Sequence, residues 1–163
     1  MRNVIVYCTS HGTTEKAATK LADLLQGEVK LLNLKDYDAV LDLSEFDTVI
    51  IGASIHIGNI QRKMKQFMNE NYNDLVKKRL GLFLCCMREG EIAEQQFEDA
   101  FPQELREISI DNALFGGEFL ISKMNFFERL IVKKVSGTTE DTFSLNERRI
   151  EEFADAFNTM RIA

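Results

Sequence analysis

Three short runs of this chain are apolar at every position: Val4-Ile5-Val6, Val49-Ile50-Ile51 and Leu82-Phe83-Leu84. A strand with one wet face alternates apolar and polar residues. A run without that alternation suits a strand buried on both faces, as in a parallel sheet covered by helices. With two further candidates, the predicted strands are 3–8, 28–33, 46–52, 80–86 and 112–120. Amphipathic segments fall between them. Residues 13–26 carry Ala17, Ala18, Leu21, Ala22 and Leu25 on one helical face. Around 61–77, Ile60, Met64, Phe67, Met68 and Leu75 recur at helical spacing. A third helix over 91–101 should end before Pro102. The last opens on Ser144-Leu145-Asn146-Glu147, a capping-box pattern, and buries Ile150, Phe153, Ala154 and Phe157.

Five strands with intervening helices predict an α/β, doubly wound, five-stranded parallel sheet with helices on both faces. Crossovers should be right-handed, and the order 2-1-3-4-5 is natural at this length. At 163 residues the chain reads as a single domain over 1–163. A ligand should sit beyond the carboxyl ends of strands 1, 3 and 4, where the winding reverses. That rule selects three loops: 9–14, 53–60 and 87–91.

The first loop reads Thr9-Ser10-His11-Gly12-Thr13-Thr14 between an apolar strand and a helix. Loop amides, the free N–H groups of a helical first turn and the helix dipole together favour a phosphate there. The loop holds no Lys or Arg, so hydrogen bonds and dipoles rather than paired charge would do the binding. The competing reading is an ordinary strand-to-helix turn, since Ser and Thr are preferred caps anywhere. The loop is neither G-x-G-x-x-G nor G-x-x-x-x-G-K-[ST], which disfavours dinucleotide and NTPase sites.

The second loop, Gly52-Ala53-Ser54-Ile55-His56-Ile57-Gly58-Asn59, places Ile55 and Ile57 where they would be exposed without a guest. A flat ring could pack on them, and Gly58 could let its peptide change orientation. The third loop, around Met87 and Arg88, contains the only cation of the three, which is either a group beside an electron-rich ring or a solvated arginine. Both histidines, His11 and His56, fall in these loops, as hydrogen-bonding ligand groups or as caps.

The net charge of −6 argues against nucleic acid as a partner. Cys8, Cys85 and Cys86 lack C-x-x-C spacing, so no metal site is expected and buried thiols are the better reading than a bond between Cys85 and Cys86. No transmembrane run or signal peptide is visible, which leads to the expectation of a cytoplasmic protein.

Thr9-Ser10-His11-Gly12-Thr13-Thr14 resembles the flavodoxin phosphate loop T-x-T-G-x-T, with His11 standing where threonine is usual. The chain resembles the flavodoxin superfamily over its full length. Within it, the chain is most similar to menaquinone-dependent protoporphyrinogen dehydrogenases, through Ile51-Gly52-Ala53-Ser54-Ile55 followed by Gly58, Phe127-x-Arg129, Ser136-Gly137 and Asp141-Thr142. The resemblance implies a flavodoxin-like fold with an extra helical insertion at about 120–142 and one non-covalent FMN. Thr9, Ser10, His11, Gly12, Thr13 and Thr14 would surround its phosphate. Ser54, Ile55, His56, Ile57 and Gly58 would flank one side of the isoalloxazine, and Met87 and Arg88 the other, with Gly58 and Arg88 as tuning groups. The implied activity is an FMN-dependent oxidoreductase passing electrons from a reduced substrate to a quinone. No acid–base pair is evident, so the flavin would carry the chemistry. The alternatives are an electron-carrier flavodoxin that docks redox proteins, or a flavin-binding interaction module.

The insertion carries Met124, Phe127, Ile131 and Val135 on one helical face, with Lys123, Arg129, Lys133 and Lys134 nearby. It reads as a structural helix, as a wall of a substrate site, or, through 121–136, as a peripheral contact with the inner face of a membrane.

Overall fold

The computed structural model describes residues 1–9, 12–119 and 142–159. Strand β1 (Arg2–Tyr7) leads to helix α1 (Thr13–Leu24), then β2 (Glu28–Asn33), β3 (Thr48–Ser54), α2 (Arg62–Glu70), α3 (Tyr72–Leu75), β4 (Arg79–Cys85), α4 (Gly90–Ala100), α5 (Gln103–Ile108) and β5 (Asp111–Leu114). After β5 come β6 (Gly116–Phe119), β7 (Thr142–Leu145) and the last helix, α6 (Glu147–Thr159). The five-stranded sheet is parallel throughout, in the order β2-β1-β3-β4-β5. Class and strand order are those predicted.

The apolar runs are buried on both faces because successive residues feed two different cores. Val4, Val6, Val49, Ile51, Leu82 and Leu84 join the core under α2, α4 and α5. Ile5, Tyr7, Ile50 and Phe83 join the core under α1 and α6. On the α6 side Phe83, Phe115, Phe153 and Phe157 gather into one aromatic cluster, whereas the other core is mainly aliphatic with Phe46, Phe67, Phe97 and Phe101 among its residues. The Phe83 and Phe115 rings stack with centroids 4.6 Å apart, and Phe153 meets Phe115 edge-on at 5.4 Å. Two glycines make room for it: a Cβ at Gly52 would overlap the Phe83 ring, and one at Gly81 would lie 2.5 Å from Phe157 Cζ. Arg149 fastens α6 to the sheet edge through a two-pronged contact with Asp111, at 2.8 and 2.7 Å.

Several predicted boundaries are corrected. The strand expected over 112–120 is broken at Phe115. Residues before it pair with β4; those after it leave the sheet at Gly116, whose φ of 73° favours glycine, and pair antiparallel with β7. The helix expected over 61–77 is two helices that meet at Asn71, whose side chain donates to Phe67 O at 2.8 Å. Pro102 ends α4 as predicted but also starts α5, which the sequence reading missed. The helix start predicted at Ser144 is corrected: Ser144 lies in β7, and α6 begins after Asn146, which accepts from Arg149 N at 3.0 Å. The insertion helix, with the motif residues Phe127, Arg129, Ser136, Gly137 and Asp141, lies outside the described residues.

All three cysteines are buried thiols outside any disulfide. Cys85 faces the aromatic core and Cys86 the aliphatic one, so the adjacent thiols lie on opposite sides of the sheet.

Candidate functional site

Strands β1 and β3 are parallel neighbours whose following segments part company. After β1 the chain enters α1, which buries Ala17, Ala18 and Leu21 on the aromatic side. After β3 it enters α2, which buries Met64, Phe67 and Met68 on the aliphatic side. The crevice between them is the reversal point that the strand order requires, and the loop after β4 adjoins it.

The loop after β1 is held by its own threonine. Thr9, buried at the end of the strand, accepts a hydrogen bond from Gly12 N at 3.2 Å. Gly12 stands at the cap of α1 with φ of 86°, and the helix has no side-chain cap. A glycine there brings no side-chain acceptor of its own to the first-turn N–H groups. A Cβ on Gly12 would meet nothing within 4 Å, so there is room above the helix start. Thr13 and Thr14 are both buried in the first turn. The Thr14 hydroxyl is wholly buried and has no hydrogen-bond partner among the described residues. Such an atom is costly unless something else satisfies it. Ser10 and His11 lie outside the described residues.

Behind this loop, the Tyr7 hydroxyl donates to Glu15 Oε1 at 3.3 Å. Burial first, and the Glu15 carboxylate second, push the Tyr7 phenol up to about 12. Burial also pushes the Cys8 and Cys86 thiols up, which suits packing rather than nucleophilic roles.

The loop after β3 is built differently. Ile55 N donates to Cys85 O at 3.2 Å, extending the β3–β4 ladder by one step. His56 and Asn59 then exchange hydrogen bonds of 2.7 and 3.2 Å around Ile57-Gly58. Both central residues have positive φ, 50° and 78°, the combination a tight two-residue hairpin requires. Asn-Gly is the usual choice. Ile57 is β-branched and stores strain there, while its side chain is 65% exposed. Ile55 is not exposed as expected: it is half-buried against the aliphatic core, which the extra ladder bond turns it towards. His56 and Gly58 are exposed and Ser54 is half-buried.

Sequence reasoning missed Gln61. It sits just before α2, and its Nε2 donates to Ser54 Oγ at 3.0 Å, closing the loop at its base. Nothing in the local sequence signals this pairing across seven positions. In the loop after β4, Cys86 N donates to Gly116 O at 2.8 Å, Met87 is half-buried and Arg88 is exposed with no ion pair among the described residues. The predicted residues that are described therefore lie on the loops that follow β1, β3 and β4, at the carboxyl end of the sheet.

Among the described residues, no group of three or more His, Cys, Asp or Glu is placed to hold a metal ion. No described helix is long and apolar enough to cross a membrane.

No curated protein matches the chain. Solved structures do resemble it. Flavodoxin 1 from Bacillus cereus is 15% identical with a TM-score of 0.61, covering 96% of this chain and 97% of its own. The two-electron reduced flavodoxin of Megasphaera elsdenii is 16% identical, TM-score 0.61, covering 97% and 99%. Rubredoxin oxygen:oxidoreductase from Desulfovibrio gigas is 18% identical, TM-score 0.59, and aligns with 98% of this chain but only 37% of its own. At these identities the likeness is one of fold. The model of the flavodoxin domain matches residues 4–146, most of the chain and both principal loops. The chain belongs to the flavodoxin-domain family.

Proposed function

We propose that the protein is an FMN-dependent oxidoreductase, with the cofactor phosphate on the β1–α1 loop and its ring between the loops after β3 and β4. The observation that carries this reading is the Thr14 hydroxyl, buried without a partner among the described residues in the first turn of a helix whose cap position is a glycine. A phosphate oxygen is an acceptor that would satisfy both the hydroxyl and the first-turn N–H groups. Thr9, Ser10, His11, Gly12, Thr13 and Thr14 would hold it. Ser54, Ile55, His56, Ile57 and Gly58 would line one side of the ring, and Met87 and Arg88 the other. Bound FMN supplies one- and two-electron redox chemistry. The chain contributes position and charge: Arg88, an exposed cation, would stabilise negative charge on the reduced ring, and Ile57 would exclude water from one edge. Reconstitution tests the reading directly. Apoprotein titrated with FMN should turn yellow, quench flavin fluorescence and release FMN on denaturation; a protein that stays colourless overturns it.

The finer reading is a quinone-linked dehydrogenase acting on a reduced tetrapyrrole of the protoporphyrinogen type. Its support is the Gly52-Ala53-Ser54-Ile55 loop with Gly58 and the 120–142 insertion, whose basic face over 121–136 would also meet an anionic membrane where a lipid-soluble quinone resides. Anaerobic turnover of protoporphyrinogen with menaquinone checks it, and deletion of 121–136 should abolish that turnover while FMN stays bound. The second reading is an electron carrier that serves redox proteins. It is favoured by the likeness in fold, over nearly the whole chain, to stand-alone flavodoxins. Reductive titration separates the two: a carrier should take up electrons in two resolved steps, and a dehydrogenase in one.

A further inference from the structure

We infer that Gln61 is a positioning residue that fixes the polarity of the Ser54 hydroxyl, so that Ser54 donates its proton to an acceptor oxygen of the bound cofactor. The inference rests on the FMN reading above.

A serine hydroxyl has one proton to give and two lone pairs to fill. Gln61 Nε2, 3.0 Å away, fills one lone pair of Ser54 Oγ. No described residue accepts the Ser54 proton, so the group is left as a donor. Ser54 is the last residue of β3 and half-buried at the β1–β3 crevice, where a cofactor would supply the acceptor. The backbone of Gln61 is anchored on both sides. Met64 N and Lys65 N donate to the Gln61 carbonyl at 3.1 and 3.3 Å, fixing its backbone at the start of α2. Ile60 beside it is 5% exposed and anchors the loop in the aliphatic core. The far end of the amide, Oε1, is buried with no hydrogen-bond partner among the described residues.

A carboxylate at position 61 would reverse this bond, because it can only accept. Ser54 would then turn its proton away from the crevice while the loop stayed closed. The test compares Ser54→Ala, Gln61→Glu, Gln61→Leu and the double variant Ser54→Ala/Gln61→Glu at pH 8, reading the FMN dissociation constant by fluorescence titration and the apoprotein melting temperature. Ser54→Ala and Gln61→Glu should each weaken FMN about five- to tenfold, the worth of one hydrogen bond. The melting temperature should change little in either. Gln61→Leu should lose less than Gln61→Glu, since the hydroxyl is freed rather than reversed. In the Ser54→Ala background, Gln61→Glu should cost nothing further. Wild-type affinity for Gln61→Glu overturns the inference. So does a larger loss for Gln61→Leu, which would mean a structural latch, or an undiminished penalty in the double variant, which would mean plain charge repulsion. Riboflavin identifies the acceptor, and either outcome fits the inference: sensitivity of riboflavin binding to Ser54→Ala places the oxygen on the ring or ribityl chain, and sensitivity confined to FMN places it on the phosphate. If wild-type protein fails to bind FMN, the cofactor reading itself falls. If it binds and only the position-61 variants behave like wild type, this inference alone falls.

Discussion

The loops after β1 and β3 follow neighbouring strands and are built differently. The first is short and lies on a helix start: Gly12 opens it, the Thr9 hydroxyl closes it, and Thr13 and Thr14 are buried in the helical turn. The second runs seven positions from Ser54 to Gln61, with an amide–hydroxyl bond at its base and, at its tip, a backbone hairpin whose isoleucine has positive φ. A helix start edged with hydroxyls suits a tetrahedral anion, which needs many donors converging on one point. A longer loop with exposed side chains can carry a broad apolar edge and be altered one residue at a time. Under the proposed reading the first loop would grip the cofactor and the second would tune it.

Thr14→Val should have the largest effect and the clearest sign. The two side chains are nearly the same shape, so removing an orphaned buried hydroxyl should stabilise the apoprotein by about 1 kcal/mol. FMN affinity should fall by more than about tenfold, as expected for loss of a hydrogen bond to a charged group. Melting and titration of the same preparation check both signs; an affinity like wild type would detach Thr14 from the first loop's role. Gly12→Val comes next. Its side chain would project into open space, so its folding cost should be only the left-handed backbone, about 1–2 kcal/mol, with FMN binding lost through bulk above the helix start. Urea titration alongside FMN titration separates those two effects.

Ile57→Asn sharpens the other half of the comparison. Asparagine tolerates positive φ, so the apoprotein should gain about 1 kcal/mol in a chemical denaturation. The flavin midpoint potential should move while FMN affinity changes much less, because the second loop tunes more than it grips. The smallest effect belongs to Tyr7 and is confined to alkaline pH. Its phenol ionises near 10 when unfolded and near about 12 when folded, so the folded state holds the proton more tightly. Stability is therefore intact below pH 10 and declines as pH rises from 10 towards 12. Tyr7→Phe should flatten that decline, which denaturation midpoints at pH 9 and pH 11 would reveal.

The legibility of the two loops differs for the same physical reason. Hydroxyls and a glycine between a strand and a helix carry their chemistry in residue type and spacing, so Thr9, Gly12, Thr13 and Thr14 could be named as candidates from the chain itself. The partnership of Gln61 with Ser54 depends on how a strand end and a helix start are brought together by burial of Ile60 and Met64. Ile55 was misjudged for a related reason: its exposure depended on whether the β3–β4 ladder ran one residue further, which Cys85 O decides.

On the larger scale, unbroken apolar runs fixed the sheet as parallel and doubly covered, and helical periodicity fixed which faces the helices bury. Both are patterns of period two or 3.6 that a linear chain displays openly. Only the tertiary structure decided where the fifth strand stops, because Gly116 turns the chain out of the sheet to pair with β7. It also decided that the cap of α6 falls at Asn146, that Phe83 lies over a glycine, and that Gln61 meets Ser54. Each of these rests on which atoms meet across distant parts of the chain, and such meetings leave no periodic trace in the sequence.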